Sequence, residues 1–300
     1  MTSHTLTQGG RTTATIALLL AMLLWSSSFI AMKIALTGFD PMVMIFGRMA
    51  IASVIFIAVW RRNFSGVRYR AGDWKLLGFM TMCEPCLYFV FEAYALEYTS
   101  ASQAGMIVAM MPLSVAVAAR FVLKEHMARS AWAGFCLAIA GVVWLSLGGQ
   151  VTENAPNPML GNALEVCAML TATGYVISAK RLSSTYPPLF ITAVQSLAGF
   201  VFFLPVLALP GVTLPTSLPL TPTLAVLYLG VCITLGAYGL YNYGVSRLPA
   251  GQAASYINLI PVLTLIMGRV VLGDELSPSQ YLASLLVLAG VVLSQRRAGA

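Results

Sequence analysis

Glu84, Tyr88 and Glu92 stand at i, i+4 and i+8 of one apolar run, which places two carboxyls and a phenol on a single helical face. Carboxyls inside such a run are costly to bury and face protein or water. At about 1.5 Å of rise per residue, Glu84 falls near the middle of the run and Glu92 in its outer third. Arg48, on the preceding run, lies at the depth of Glu92, and the structural reading is an Arg48–Glu92 ion pair. Glu165, on a later run, is another carboxyl at that depth. Glu84 has no cation at its level. It is therefore the acid suited to holding a substrate amine or to taking up a proton.

A second group of residues is suited to binding rather than reaction. Trp25, Ser28, Phe29 and Met32 share a face of the first run, and Thr171, Gly174, Tyr175 and Ser178 share a face of the sixth. Tyr238, Tyr241, Asn242 and Tyr243 follow on the eighth, Gln252, Tyr256 and Asn258 on the ninth, and Met106 and Met110 form a stripe on the fourth. An interfacial belt accounts for Tyr243 and extends to Tyr241, but Tyr88, Tyr175 and Tyr256 are too deep for one. Buried phenols need hydrogen-bond partners, which a polar cavity supplies. The expected solute-binding set is Trp25, Ser28, Glu84, Tyr88, Met106, Tyr175, Tyr238, Asn242, Tyr256 and Asn258. Rings, methionines and amides suit an amphipathic, ring-bearing solute and broad specificity.

Enzymatic chemistry finds little support. The two histidines, His4 and His126, lie in a tail and a loop, and neither a metal-ligand motif nor a phosphate loop nor a nucleophile elbow is present. No metal or cofactor is expected. The five cysteines, Cys83, Cys86, Cys136, Cys167 and Cys232, all fall within apolar runs, which argues against a disulfide framework. Cys83 and Cys86 have redox-motif spacing without the strand–helix context that motif requires.

The elements that must position these residues are apolar helices. Hydrophobic residues make up 59% of the chain and charged residues 9%, with a mean hydropathy of +0.84, far from the soluble range of about a quarter charged. Ten runs approach the ~20 residues needed to span a bilayer, at roughly 13–36, 42–60, 76–96, 102–122, 131–149, 159–180, 189–210, 222–244, 251–272 and 279–295. Among the connecting loops, only Arg61–Lys75 and Gly211–Pro222 exceed ten residues. The net charge of +7 does not signal nucleic acid, because Arg61, Arg62, Arg68, Arg70, Lys75, Lys124, Arg129, Lys180, Arg181, Arg247, Arg296 and Arg297 gather on alternate loops. The other loops carry Asp40, Glu97, Glu153, Asp274 and Glu275. That asymmetry places both termini in the cytoplasm. The first run is too long for a cleavable signal and lacks a small-residue cleavage site.

The chain also repeats itself. Gln103-Ala104, Pro112, Arg120, Glu125 and Ala140-Gly141-Val142-Val143 return 149 positions later as Gln252-Ala253, Pro261, Arg269, Asp274 and Ala289-Gly290-Val291-Val292. Lys33 and Pro41 return 147 positions later as Lys180 and Pro188. Two copies are expected over 13–149 and 159–295, joined by a periplasmic linker at 150–158, with cytoplasmic tails at 1–12 and 296–300. Five spans per copy is an odd number, so the second copy enters from the opposite side and the repeats are inverted. Pro112 and Pro261 occupy matched mid-run positions and are either static bends or a symmetric pair of hinges. Pro85 and Pro205 have no such match and are assigned to packing. Lys33, Lys180, Arg120 and Arg269 lie near span ends, where their side chains reach the headgroups.

These motifs carry a resemblance. Tyr94-Ala95-Leu96-Glu97-Tyr98-Thr99-Ser100-Ala101, the run to Pro112, Leu123-Lys124-Glu125 and Gly141-Val142-Val143 resemble the EamA-type repeat of the drug/metabolite transporter superfamily. Tyr243-Gly244-Val245, Pro261, Gly273-Asp274-Glu275 and Gly290-Val291-Val292 repeat the pattern in the second half. Within the superfamily, the chain is most similar to YddG-type exporters of aromatic amino acids. The resemblance implies an all-α membrane protein of ten helices, built as two inverted five-helix repeats around a central cavity in the cell inner membrane. The expected function is alternating-access export of small amphipathic metabolites, aromatic or other apolar amino acids first. Export of cationic drugs or quaternary amines, held by cation–π contacts, is the alternative, and an intramembrane enzyme is a third reading. The partners expected are a small-molecule substrate and the lipid bilayer, and the short loops suit a monomer.

Overall fold

A computed structural model describes residues 8–122, 129–153, 155–248 and 256–295. Among them ten helices follow one another: α1 (Gln8–Leu36), α2 (Pro41–Phe64), α3 (Trp74–Tyr98), α4 (Ala101–Val108 continuing as Met111–Val122), α5 (Arg129–Leu147), α6 (Pro158–Leu182), α7 (Pro188–Val206), α8 (Leu220–Arg247), α9 (Leu259–Leu272) and α10 (Pro278–Gln295). Extended pairing among the described residues is limited to one bridge between Thr152 and Ala155. Seven of the helices are long and apolar enough to cross a membrane. The runs expected at 131–149, 251–272 and 279–295 contain shorter apolar helices, Trp132–Leu147, Leu259–Leu272 and Pro278–Leu293. The tails at 1–7 and 296–300, and the motif residues Lys124, Glu125, Gln252 and Ala253, lie outside the described residues.

The recurring prolines have a local role. Pro41, Pro158 and Pro188 each open a helix, where the absent N–H is one that helix geometry leaves unpaired anyway. Asp40 caps α2 by accepting from Met42 N at 2.8 Å, and Asn157 caps α6 by accepting from Leu160 N at 3.2 Å. Pro112 follows a break within α4, and Pro261 stands in the first turn of α9. Turns lie at Ala109–Met110, three and two residues before Pro112, and at Ile257–Asn258, four and three residues before Pro261. There, Met110 N bonds Ile107 O at 2.9 Å and Ile260 N bonds Ile257 O at 2.9 Å, the tighter i−3 pattern that follows when proline removes an i−4 bond.

Two further helices are widened to π-turns in their middles, α3 over Met82–Leu87 and α8 over Leu229–Ala237. In α3 the break is sharpest at Glu84, whose φ of −150° and ψ of 119° are not helical. Pro85 sits beside it and also packs on Gly199 of α7. The packing role expected of Pro85 is thus joined by a second one, turning Glu84 out of the helix.

The duplicated Gly-Val-Val motif explains the close pairing of α5 against α10. A Cβ on Gly290 would meet Gly134 O at 2.5 Å and Ala138 N at 2.7 Å, and one on Gly141 would meet Val287 N at 2.8 Å. The helices touch backbone to backbone, as small residues permit in lipid. Asp274 ties the halves at another point by accepting from Ser102 N at 3.0 Å, at the start of α4. Gly290→Ala is expected to cost about 1–3 kcal/mol through overpacking against backbone that has little room to move. It should lower the unfolding temperature in detergent. Gly239→Ala, with nothing within 4 Å of the new methyl, should not.

Candidate functional site

α1, α2, α3, α4, α6, α8 and α9 enclose a cavity at the middle of the bundle. Its wall includes Trp25 and Ser28 from α1, Arg48 from α2, Glu84, Tyr88 and Glu92 from α3, Met111 from α4, Met169 and Tyr175 from α6, Tyr238 from α8 and Ile260 from α9. Aromatic rings make up much of the surface. Trp25 meets Tyr238 edge-on at 5.2 Å and Tyr241 at 4.7 Å, while Tyr175 and Phe89 flank Tyr238 at 6.3 and 6.5 Å. The cavity offers about 40 Å³ of open space. At ~10–15 Å³ per water, this conformation admits water but not a ring.

The polar groups are arranged in short chains. Tyr238 donates its hydroxyl to the Glu84 carboxylate, and Gln195 Nε2 donates to the Glu84 backbone carbonyl at 3.4 Å. Tyr88 donates to Glu92 Oε1 at 2.7 Å. Tyr175 donates to Asn242 Oδ1 at 3.2 Å, and Asn242 Nδ2 donates to Thr192 Oγ1 at 3.0 Å. Trp25 Nε1 is buried with no acceptor among the described residues. An indole N–H usually finds a partner, so this one is available to a ligand.

Arg48 departs from the expected pairing. It is 1% exposed, and its guanidinium lies 4.1 Å over the Phe89 ring, with Nε donating to Thr234 Oγ1 at 3.3 Å and a second nitrogen 3.8 Å from Met32 Sδ. Among the described residues the direct ion pair is Arg269–Glu275, at 2.6 Å and exposed. Arg48 and Glu92 therefore face one cavity without a bridge between them. Sequence depth placed them at one level but carried no information about Phe89, whose ring face takes the cation instead.

Of the expected binding set, Trp25, Ser28, Glu84, Tyr88, Tyr175 and Tyr238 are brought together on the cavity wall. Asn242 stands behind it and positions Tyr175. Met106 is buried in the apolar core. Tyr256 is turned to Thr15 Oγ1 at 3.4 Å, and Asn258 lies at the α9 turn with its Oδ1 unpartnered among the described residues. Tyr241, read as interfacial, packs on Trp25.

Several contributors escaped sequence reading. Phe89 and Met169 look like ordinary core residues until the helices meet. Gln195, Thr192 and Thr234 support Glu84, Asn242 and Arg48, respectively, and only their polarity inside apolar runs signals them. Asn162 is fully buried and links three helices, accepting from Thr99 Oγ1 at 2.7 Å and donating to Gln103 Oε1 at 3.0 Å and Ser146 Oγ at 3.1 Å. It gives Gln103 of the duplicated motif a structural task.

An apolar helical bundle with a central, ring-lined polar cavity is the architecture of a membrane carrier. The EamA-like transporter family model matches residues 12–147 and 159–295, and the chain belongs to that family. It is 26% identical to a probable terminal-alkyne amino-acid exporter of Streptantibioticus cattleyicolor, over 94% of this chain and 93% of that one. It is likewise 26% identical to a probable amino-acid metabolite efflux pump of Salmonella typhimurium, over 92% of each. The match to the uncharacterized Bacillus subtilis transporter YetK, also 26% identical, covers 69% of this chain and 64% of that protein. A protein of known crystal structure shares the fold, with a TM-score of 0.67 at 21% identity, covering 95% of this chain and 96% of that one. The protein is a multi-pass membrane transporter.

The Tyr238–Glu84 contact gives a direct test of the site's construction. Tyr238→Phe removes the hydroxyl that Glu84 accepts from and should destabilise the protein by about 1–3 kcal/mol. Thermal unfolding in detergent should register the loss, whereas Tyr243→Phe, at the partly exposed end of α8, should leave the midpoint unchanged.

Proposed function

We propose that this protein exports amino acids with aromatic or other apolar side chains across the inner membrane by alternating access. Ten spans form two inverted five-helix repeats, both termini face the cytoplasm, and the carrier works as a monomer. The halves rock about the cavity, with the interruptions before Pro112 and Pro261 as hinges. Because the cavity as described admits only water, loading must separate helices, and the turns before Pro112 and Pro261 supply the places to bend.

The observation that carries the substrate reading is the pairing of Arg48 with Glu84 on one ring-lined wall. An α-amino acid presents an ammonium, a carboxylate and a side chain. Glu84 suits the ammonium, Arg48 suits the carboxylate, and Trp25, Tyr88, Tyr175 and Tyr238 suit the side chain. In this arrangement Glu84 serves the substrate rather than coupling. Arg48 also weighs against cationic drugs or quaternary amines, because a solute with only positive charge would meet a buried guanidinium without the carboxylate to satisfy it. Two relatives named for amino-acid export agree with this chemistry.

Counterflow in proteoliposomes, with phenylalanine as the probe, tests the reading. Unlabelled phenylalanine should compete with labelled phenylalanine, while phenethylamine and a tetraalkylammonium should compete weakly. Arg48→Ala and Glu84→Gln should each cost about 2–5 kcal/mol of binding, roughly 30-fold or more in apparent affinity. Equal competition by phenethylamine would move the assignment to cationic solutes.

A further inference from the structure

Substrate recognition leaves Glu165 without a task. Its side chain is fully buried, and neither carboxylate oxygen has a hydrogen-bond partner among the described residues. Glycine contacts set its level. Gly161 of α6 lies against Ala95 and Thr99 of α3, and Gly174 lies against Phe79 and Cys83. The two helices therefore run antiparallel in close contact, and interpolating between these points brings Glu165 level with Glu92. The charge of Glu92 acts on Glu165, and both act on the Tyr88 hydroxyl.

Two carboxylates at one level of a buried helix interface cannot both remain charged without a cation between them. Among the described residues no ion pair to either carboxyl is seen, and the charge of Lys33 on α1 acts on Asp274 and Glu97. From α3, Cys83, Glu84, Tyr88 and Glu92 stand nearest, with Lys75 at one end of the helix and Tyr94, Glu97 and Tyr98 at the other; from α4, Arg120 stands towards the far end of the helix; and from α5, Cys136 is exposed. Arg48 reaches the cavity from α2 and its charge acts on Glu92, but it forms no ion pair with either carboxyl and is held by Phe89, Thr234 and Met32 until a solute arrives. Glu92 lines the cavity, and Tyr88 donates to it. A charge placed on the pair is therefore felt where the solute binds.

We propose that Glu165 and Glu92 form a proton-binding pair, separate from Glu84, that takes up one proton in place of a second charge and couples its passage to solute movement. The proton suits this site better than a metal ion. Two carboxyls and a phenol are too few oxygens for sodium-like or calcium-like coordination, whereas a proton needs only a donor and an acceptor. The coupling half of this inference rests on the carrier reading above; the proton site itself does not.

Infrared difference titration of the purified full-length protein, with no solute added, tests the site. Wild type should show a protonated-carboxyl band that titrates, with a component that survives Glu84→Gln and disappears in both Glu165→Gln and Glu92→Gln. If Glu165→Gln fails to fold, Glu92→Gln decides. A band that persists in the Glu92 and Glu165 variants, or that is lost only with Glu84, would overturn the pair. So would its removal by sodium chloride at constant pH, which would assign the site to a metal cation. In proteoliposomes, phenylalanine addition should produce a pH change in the lumen that Glu165→Gln reduces to the level of protein-free vesicles. A pair that titrates as described in protein that shows no phenylalanine counterflow would sink the amino-acid reading and leave the proton site standing. Phenylalanine counterflow with no titrating pair would do the reverse.

Discussion

Among the described residues, Glu84, Glu92 and Glu165 are buried around the middle of the bundle with the guanidinium of Arg48, while a fourth buried carboxyl, Asp274, is taken up by Ser102 N. In a medium that solvates charge poorly, that inventory cannot be left as free ions. Each group must be matched by a dipole, a ring face, a proton or a ligand. Arg48 is held by the Phe89 ring, Thr234 and Met32, and Glu84 and Glu92 by the phenols of Tyr238 and Tyr88. None of these matches is a full counter-ion. The interior stays short of positive charge, a condition that suits the arrival of a substrate ammonium or a proton.

The helices are broken where this chemistry needs them to be. A straight α3 would keep Glu84 in register with its helix, but the π-turn and the non-helical dihedrals beside Pro85 turn it towards Tyr238 on the opposing widened helix. Such widened turns release backbone from the i−4 ladder, and polar side chains then repair the loss. Gln195 donating to the Glu84 carbonyl and Thr234 donating to Leu229 O at 2.9 Å are two such repairs. By contrast, α5 and α10 are unbroken and meet through glycine, and neither contributes to the cavity wall.

How much was legible in advance depended on the kind of signal. Apolar runs, and the recurrence of Pro41 as Pro188 and of Gly141 as Gly290, are written locally or by repetition, but what these residues do, opening helices and bringing two backbones together, was not. The cavity face was half legible. Trp25, Ser28 and Tyr175 could be placed by helical periodicity, and Glu84 and Tyr88 by their cost in an apolar run. Tyr256 and Met106 carried the same signals and do not line the cavity, because periodicity names a face without saying which neighbour covers it.

Residue types along the chain by themselves determined that it must be helical and membrane-embedded, that motifs of one half recur in the other, and that acids and phenols lie inside. These follow from solvation cost and helical period, which are properties of single segments. Only the tertiary structure decided which charges meet. It seated Arg48 on Phe89 instead of on Glu92, joined Tyr238 to Glu84 across two helices, and set Glu165 level with Glu92 through glycine contacts. Those outcomes depend on crossing points and rotations between segments far apart in the chain, and no single run of residues contains them.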